Sequence, residues 1–195
     1  MTEPMIFVRD LVKRYEKAPT PAVKGISFDV AEGEFFAFLG PNGAGKTTTI
    51  SMLTTTLNPT SGEVRIAGFD LQRQAQQVRD NVGIIFQHPS LDSQLSAEEN
   101  IRFHACLYGM YAYRPTFGLM PKSYRDRVND LAEIVGIADA LHKPIKKLSG
   151  GMQRKLEIIR SLMHTPRVLF LDEPTQGLDA VSRRDLWNYL NEVRH

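Results

Sequence analysis

The order of hydrophobic and polar positions along the chain predicts strands separated by helices. Short segments that alternate between apolar and polar residues, or that are apolar throughout, are typical of β-strands. The run FFAFL at 35–39 is apolar throughout, which indicates a strand buried on both faces. The complete set of predicted strands comprises residues 5–8, 26–30, 35–39, 63–66, 82–86 and 168–171.

Helical periodicity fills much of the remaining chain. From 96 to 141 apolar residues recur at helical spacing, which predicts an α-helical subdomain at about 88–147. The segment 114–121 contains two prolines and a glycine, so we predict that it interrupts this subdomain as a loop. The other predicted helices cover residues 47–57, 149–165 and 180–194.

Apolar strands that alternate with helices favour a mostly parallel sheet covered on both faces, which is the α/β class. The length of 195 residues suits one domain over 1–195, with the helical subdomain inserted in it.

Composition narrows the possible partners and surroundings. The 24 lysines and arginines nearly balance 22 aspartates and glutamates, so the net charge of +2 gives no reason to expect nucleic acid. The single cysteine, Cys106, cannot form an internal disulfide, and a reducing cytosolic setting fits. No apolar stretch approaches the roughly 20 residues that span a bilayer. A role at a membrane would therefore require a partner.

The stretch GPNGAGKT follows the predicted strand 35–39 and matches the phosphate-loop pattern GxxxxGK[ST]. Glycines let backbone N–H groups turn toward phosphate oxygens, and the helix N-terminus adds partial positive charge. Lys46 is predicted to reach the β- and γ-phosphates, and the Thr47 hydroxyl to hold Mg²⁺. The alternative is a glycine-rich surface turn with a solvated lysine. The predicted nucleotide contacts of this loop are Gly40, Pro41, Asn42, Gly43, Ala44, Gly45, Lys46, Thr47 and Thr48.

Two carboxylates follow the predicted strand 168–171, at the edge where open α/β sheets bind ligands. Asp172 is predicted to orient the water shell of the metal. Glu173 faces another direction and is predicted to act as general base on the attacking water. An ordinary pair of solvated acids at a strand end is the alternative.

A second glycine-rich stretch, LSGGMQRK at 148–155, opens the predicted helix 149–165. Ser149 supplies a hydroxyl, while Gly150 and Gly151 expose backbone N–H groups at the helix N-terminus. The simpler interpretation is a serine N-cap beside a glycine hinge. The stretch predicts a second anion-binding position far along the chain from the first.

The phosphate loop, LSGGMQ, the acidic strand end and EPTQGLD at 173–179 stand in an order that resembles the ATP-binding subunit of ABC transporters. The resemblance covers nearly the whole chain, and LSGGMQ is its most specific part. It implies a P-loop NTPase core with an N-terminal antiparallel β subdomain and an inserted helical subdomain.

This resemblance also implies ligands and partners. The ligands would be ATP and Mg²⁺, and hydrolysis would power transport. Two copies would meet head to tail, so that each signature helix caps the γ-phosphate of ATP on the other copy. A separate integral membrane subunit would hold the protein peripherally on the cytoplasmic face of the cell membrane.

Four further residues receive roles from the resemblance. Tyr15 would stack on adenine, although a tyrosine there could be partly buried packing. Gln87 would contact Mg²⁺ and the attacking water, with a polar strand cap as the alternative. Gln153 belongs to the signature. Asp179 would cross the dimer interface beside the partner's phosphate loop, and a helix N-cap is an equally physical role.

The chain also departs from this family. The family continues beyond the helix 180–194 into a core strand and a switch histidine, and no residue here corresponds to that histidine. We do not assign the role to His195. We therefore expect a truncated domain that is poorly stable or prone to association. The loop 114–121 is longer than usual, and we interpret it as a tolerated insertion, with tuning of partner choice as the alternative.

Segments 86–92, 99–101 and 107–109 most resemble exporter-type members whose membrane subunits are separate chains. The predicted function is ATP hydrolysis that powers such an exporter, with Glu173, Gln87 and Lys46 as catalytic residues. One alternative is a non-transport ABC ATPase of translation or DNA repair. The other is a nucleotide-binding module without turnover.

Overall fold

The computed structural model describes residues 3–16, 18–41, 43–85, 90–171 and 180–192. Contacts divide the chain into two compact units. Unit 1 comprises Met1–Ile84 and Pro166–Phe170, and unit 2 comprises Ile85–Thr165 and Leu171–His195. Within the described residues, no helix is both long and apolar enough to cross a bilayer.

Unit 1 contains a four-stranded antiparallel sheet in the order β2-β1-β3-β4. Ile6 on the central strand pairs with Val30 of β2 and Ile66 of β3, and all three side chains are buried. Apolar residues in register share one face of the sheet, which buries them together. The strands are β1 (Ile6–Lys13), β2 (Val23–Val30), β3 (Ser61–Ile66) and β4 (Phe69–Asp70).

Two helices and a second sheet are the other elements found in the described part of unit 1. α1 (Lys46–Leu53) buries Met52 and Leu53 in the core beneath the antiparallel sheet. α2 (Ala75–Asn81) leads into β5 (Val82–Ile85), which pairs with β6 (Val168–Leu171) in a two-stranded sheet. The backbone N–H of Arg167 donates to the carbonyl oxygen of Asn81 at 2.9 Å, which joins the starts of these two strands.

The predicted buried strand at 35–39 is wrong: this segment forms neither helix nor strand. None of the strands found in the described residues pairs with it. Phe36 stacks on Phe28 of β2 and Phe38 meets both rings edge-on, whereas Leu39 is 92% exposed. The apolar run thus reflects an aromatic cluster on one side, because covering both faces requires neighbouring strands.

Unit 2 is helical, as its periodicity predicts. α5 (Gly150–Leu162) packs against α3 (Ala97–Leu107) and α4 (Lys122–Ile134), and α6 (Ala180–Glu192) follows later in the chain. Ser96 and Glu99 form a reciprocal capping box at the start of α3. Among the described residues of this unit, short 3-10 helices occur at Phe117–Leu119, Ala138–Ala140 and Ile145–Lys147.

A buried ionic network anchors the segment 114–121. The Glu98 carboxylate lies 3.1 Å from Arg102 Nε and accepts a hydrogen bond from the Tyr124 hydroxyl at 3.0 Å. Arg102 Nη1 donates to the carbonyl oxygen of Arg114 at 2.7 Å. Burial, followed by the Glu98 charge, raises the pKa of Tyr124. Arg125 Nη1 on α4 donates to the carbonyl oxygen of Gly118 at 3.0 Å, so the predicted loop is fixed to both α3 and α4 and contains the 3-10 helix Phe117–Leu119.

His104 on α3 lies in a stack of rings. Its ring centroid is 4.4 Å from that of Tyr108, which lies 5.1 Å from that of His164. Burial, followed by the charges of Arg160 and His164, lowers the pKa of His104 to about 3. The folded protein therefore holds this imidazole neutral at pH values where an unfolded chain would protonate it.

Acid should consequently destabilise the fold. In the unfolded chain this imidazole binds a proton near pH 6.5, whereas folded His104 does so only near pH 3. The stabilisation that comes from the neutral imidazole is therefore complete above pH 6.5 and decreases as the pH falls toward 3. Lowering the pH from about 7 to about 5.5 should remove about 1 kcal/mol of unfolding free energy. Urea denaturation of His104→Phe, which keeps a ring beside Tyr108, should show a smaller loss. An equal loss in both proteins would contradict this assignment.

Candidate functional site

The phosphate loop ends where α1 begins. Gly45 is the N-cap of α1 with φ of 88°, a left-handed conformation that side-chain-bearing residues adopt only with strain. Among the described residues no side chain caps α1, and its first turn carries no acidic residue. The N–H groups of this turn can therefore donate to an anion, and the helix dipole favours negative charge there.

Lys46 lies across this loop. Its Nζ donates to the carbonyl oxygens of Gly40 at 2.6 Å and Pro41 at 2.9 Å. These two bonds hold a positive charge beside the open helix N-terminus. Phosphate oxygens at this position would meet the ammonium and the backbone donors together, which is the chemistry of a nucleotide phosphate site.

The threonines after Lys46 divide into exposed and structural positions. Thr47 is exposed and Thr48 is half-buried. Buried Thr49 donates its Oγ1 to the carbonyl oxygen of Gly45 at 2.9 Å, which fixes the first turn of α1. Ala44 donates its N–H to the carbonyl oxygen of Pro41 at 3.2 Å, which closes the turn of the loop. The Thr47 hydroxyl is thus free of the burial that would keep it from a metal ion.

The segment that joins β1 to β2 carries Tyr15 and meets the phosphate loop at Gly45. A Cβ atom built on Gly45 would lie 2.5 Å from the carbonyl oxygen of Ala22 and 3.2 Å from the Val23 side chain. The N–H of Ala22 donates at 2.7 Å to the carbonyl oxygen of Lys13, two residues before Tyr15. Unit 1 therefore brings the predicted adenine contact and the phosphate loop to one corner.

Tyr15 is 45% exposed and has a cation beside its ring. Lys13 Nζ lies 5.5 Å from the ring centroid and donates to the carbonyl oxygen of Asn58 at 2.7 Å. A cation–π contact of this kind favours one ring orientation. Lys13 was not among the residues predicted from the sequence, and strand alternation could not have indicated it, because β1 ends at Lys13 and Tyr15 lies beyond that end.

Replacing Gly45 with alanine should destabilise the fold and distort the phosphate loop. The new Cβ would meet backbone atoms of Ala22 in a left-handed conformation, so we expect a loss of about 2–4 kcal/mol of unfolding free energy. Gly43→Ala is the matched control, because Gly43 has a similar φ of 82° but no atom within 4 Å of its Cβ position. Denaturant unfolding should show a clearly smaller loss, about 1 kcal/mol, for Gly43→Ala. Equal losses would contradict the close approach.

In unit 2, the signature stretch forms the start of α5. Ser149 is the N-cap, and its Oγ accepts a hydrogen bond from the Met152 N–H at 3.2 Å. Ser149 and Gly150 are exposed, Gly151 is half-buried, and no atom lies within 4 Å of a Cβ built on Gly150. Ser149 is therefore the N-cap that the simpler interpretation of the sequence predicted, and the start of α5 is also accessible to an anion.

Gln153 makes contacts within its own segment. Its Nε2 donates to the carbonyl oxygens of Leu148 at 3.2 Å and Ile145 at 3.4 Å. These bonds tie the first turn of α5 to the 3-10 helix that precedes it. The side-chain amide thus has a structural role, and its contact with a nucleotide stays a prediction.

Five predicted site residues, Asn42, Gln87, Asp172, Glu173 and Asp179, lie outside the described residues. Of the predicted metal ligands, Thr47 alone is described. Over the described ranges, no group of three or more His, Cys, Asp or Glu side chains could hold a metal ion. A hydroxyl ligand and a phosphate-bound metal need no such group, so the donor chemistry fits Mg²⁺ carried in with a nucleotide.

Comparison with known proteins identifies relatives over most of the chain. A sequence profile described as ABC transporter matches residues 23–176. Daunorubicin resistance ATP-binding protein DrrA3 of Streptomyces coeruleorubidus is 38% identical over 193 residues, which are 99% of this chain and 58% of that protein. Nod factor export ATP-binding protein I of Ralstonia nicotianae is 37% identical over 190 residues, covering 97% and 56%. The chain thus spans little more than half the length of these relatives.

The fold is shared with a solved ATP-binding cassette that is dimeric and bound to ADP and phosphate in a post-hydrolysis state. The TM-score is 0.83 at 25% identity, over 98% of this chain and 83% of that chain. The predicted α/β class and P-loop NTPase core are confirmed. The profile match covers well over half of the sequence, and the chain therefore belongs to the ABC transporter family, as an ATP-binding domain.

Proposed function

We propose that this chain binds and hydrolyses ATP and thereby powers an ABC transporter of the exporter type. The observation that carries the proposal is Lys46, held by two loop carbonyls beside the uncapped start of α1. Relatives named for daunorubicin resistance and Nod factor export support the exporter assignment.

In this proposal unit 1 binds the nucleotide. The first turn of α1 and Lys46 hold the phosphates, and Tyr15 stacks on adenine from the adjoining segment. Thr47 supplies a hydroxyl to Mg²⁺, with Gln87 and Asp172 as its further partners. Mg²⁺ would neutralise charge on the phosphates during transfer to water.

A second copy completes each nucleotide site. The exposed start of α5, with Ser149, Gly150 and Gly151, caps the γ-phosphate of ATP on the other copy, and Asp179 crosses the same interface. The dimeric state of a solved cassette of the same fold supports this arrangement. Isolated domains would bind ATP but lack half of the groups around its γ-phosphate.

We further propose that residues 88–147 form an inserted helical subdomain that passes the motion of the dimer to a separate membrane subunit. The ionic network of Glu98, Arg102 and Tyr124 gives this region a fixed internal structure, as a transmitting element requires. Binding to that subunit would place the protein peripherally on the cytoplasmic face of the membrane.

The test of hydrolysis is Glu173→Gln, which removes the proposed general base but keeps a similar shape. ATP affinity should stay within about twofold, while the hydrolysis rate should fall by about 10²- to 10⁴-fold. Exposed Glu16→Gln is the control and should leave both quantities unchanged. Wild-type protein that binds ATP without turnover would support the non-hydrolysing alternative and overturn the proposal. Unchanged turnover in Glu173→Gln would remove Glu173 from the role of base.

A further inference from the structure

Two side chains of α5 enclose Ser90. Oε1 of Glu157 accepts a hydrogen bond from the Ser90 N–H at 2.7 Å. Arg160 Nη1 donates to the Ser90 carbonyl oxygen at 2.7 Å, and Nη2 donates to its Oγ at 2.7 Å. Glu157 and Arg160 are three residues apart on one helix and so lie on one face. We call this group of three residues the Ser90 clasp.

The clasp is supported by a buried carboxylate. Glu157 is 4% exposed, and its second oxygen lies 3.2 Å from Nη1 of Arg154, which is 3% exposed. A buried carboxylate is stable only when its oxygens are paired with donors. The Ser90 N–H supplies one of the hydrogen bonds that the buried Glu157 carboxylate requires. Burial also lowers the pKa of Arg160, against the opposing charge of Glu157. These features distinguish the clasp from an ordinary surface contact.

The clasp lies a short distance along the chain from two proposed functional residues, Gln87 and Ser149. Ser90 follows Gln87 by three residues, so their Cα atoms can be no more than about 11 Å apart. Ser149 precedes Glu157 by eight residues, about 12 Å along a rigid helix. A displacement of the start of α5 would therefore carry Ser90 with it.

We propose that Glu157 and Arg160 are positioning residues that fix the segment carrying Gln87 to the helix that begins with the signature. This rests on the proposed function, in which Gln87 contacts Mg²⁺ and the attacking water. Closing of a second copy onto the signature would then set the position of Gln87 through the clasp. Hydrolysis depends on such placement more steeply than nucleotide binding does.

The test is a double-mutant cycle between Arg160→Met and Gln87→Ala. Arg160→Met removes two of the three hydrogen bonds of the clasp and should lower kcat about tenfold while KM for ATP changes less than about twofold. In the Gln87→Ala background the same substitution should have almost no effect on kcat. A purely structural role would instead lower kcat equally in both backgrounds, which would overturn the proposal.

Two further variants keep the test decisive if Arg160→Met folds poorly. Ser90 is exposed, so Ser90→Ala should fold normally and lower kcat by a smaller factor, about two- to threefold, that also disappears with Gln87→Ala. Lys143→Met removes an exposed cation of unit 2 outside the signature and should leave kcat unchanged, because none of the described contacts of Ser90 involves Lys143.

Hydrogen exchange gives a readout that does not depend on turnover. The amide of Ser90 should exchange slowly in the wild-type chain and at least about tenfold faster in Arg160→Met or Glu157→Ala. Fast exchange in the wild type would show that the clasp does not hold and would overturn the proposal. Slow exchange without any ATP hydrolysis would mean that the proposed function fails while the contact stands, and the positioning role would then be rejected.

Discussion

Replacing Lys46 with methionine is expected to lower the affinity for ATP by about 10- to 100-fold. The loss corresponds to a charge-assisted hydrogen bond of about 1.5–3 kcal/mol to phosphate. Methionine keeps the length and the apolar stem of lysine, so the change removes mainly the charge. It also removes the bonds from Nζ to Gly40 and Pro41, which leaves the loop less ordered before ATP binds. Calorimetric titration with ATP measures the effect.

Lys24→Met is the matched control for this experiment. Lys24 is an exposed lysine of β2, so the same substitution changes the net charge equally without touching the phosphate loop. ATP affinity should stay at the wild-type value. An affinity that is unchanged in Lys46→Met, or reduced equally in both variants, would reject the phosphate site at the start of α1.

Replacing Gly150 with arginine is expected to lower the rate of ATP hydrolysis by about 100-fold or more, while the ATP affinity of the single copy stays within about twofold. A Cβ at Gly150 has no atom within 4 Å, and its backbone needs no left-handed conformation, so the monomer can accept a side chain there. The obstruction would arise only when another copy brings its phosphates to the exposed start of α5. Ser149→Arg should act in the same direction, but it also removes the hydroxyl that caps Met152.

Gly150→Ala separates obstruction from a change in helix propensity. Alanine adds one methyl group to the start of α5 and should retain most of the hydrolysis rate. Steady-state hydrolysis and equilibrium ATP binding are measured on the same preparations. If Gly150→Arg weakens ATP binding by the single copy as much as it slows hydrolysis, the signature does not act on the nucleotide of another copy.

The sequence predicts the elements of this domain well where apolar residues form an unbroken run in a strand or recur at helical spacing. The predicted strand 168–171 is found as β6, and the helix that follows Ser149 is found as α5. α2 was missed because only Val78 is buried among its seven residues, so the pattern carries no period. The strand predicted at 35–39 failed for a different reason. Its aromatic residues pack against Phe28 of β2, which accounts for the apolar composition of the segment. Composition alone cannot show whether a neighbouring strand is present.

The same distinction applies to the candidate site. A phosphate loop and a signature helix are visible in sequence because glycines at fixed spacing reflect local backbone geometry. Contacts between distant residues leave no such signal: Ser90 and Arg160 are 70 positions apart, and Glu98 and Arg102 are spaced like an ordinary surface ion pair. Such pairs hold the structure in place only when they are buried, and their burial depends on how the helices of unit 2 pack.

The central claim is that two copies share each ATP, and mixing two inactive variants tests it most directly. Lys46→Met lacks the cation of the phosphate site, which is also one of the predicted catalytic residues, and in Gly150→Arg the signature surface is obstructed, so each should be nearly inactive alone. A head-to-tail heterodimer contains one site with an intact phosphate loop and an intact signature. An equimolar mixture should therefore recover about a quarter of the wild-type hydrolysis rate at the same total concentration. A mixture that hydrolyses ATP no faster than the sum of its two components would contradict the shared site.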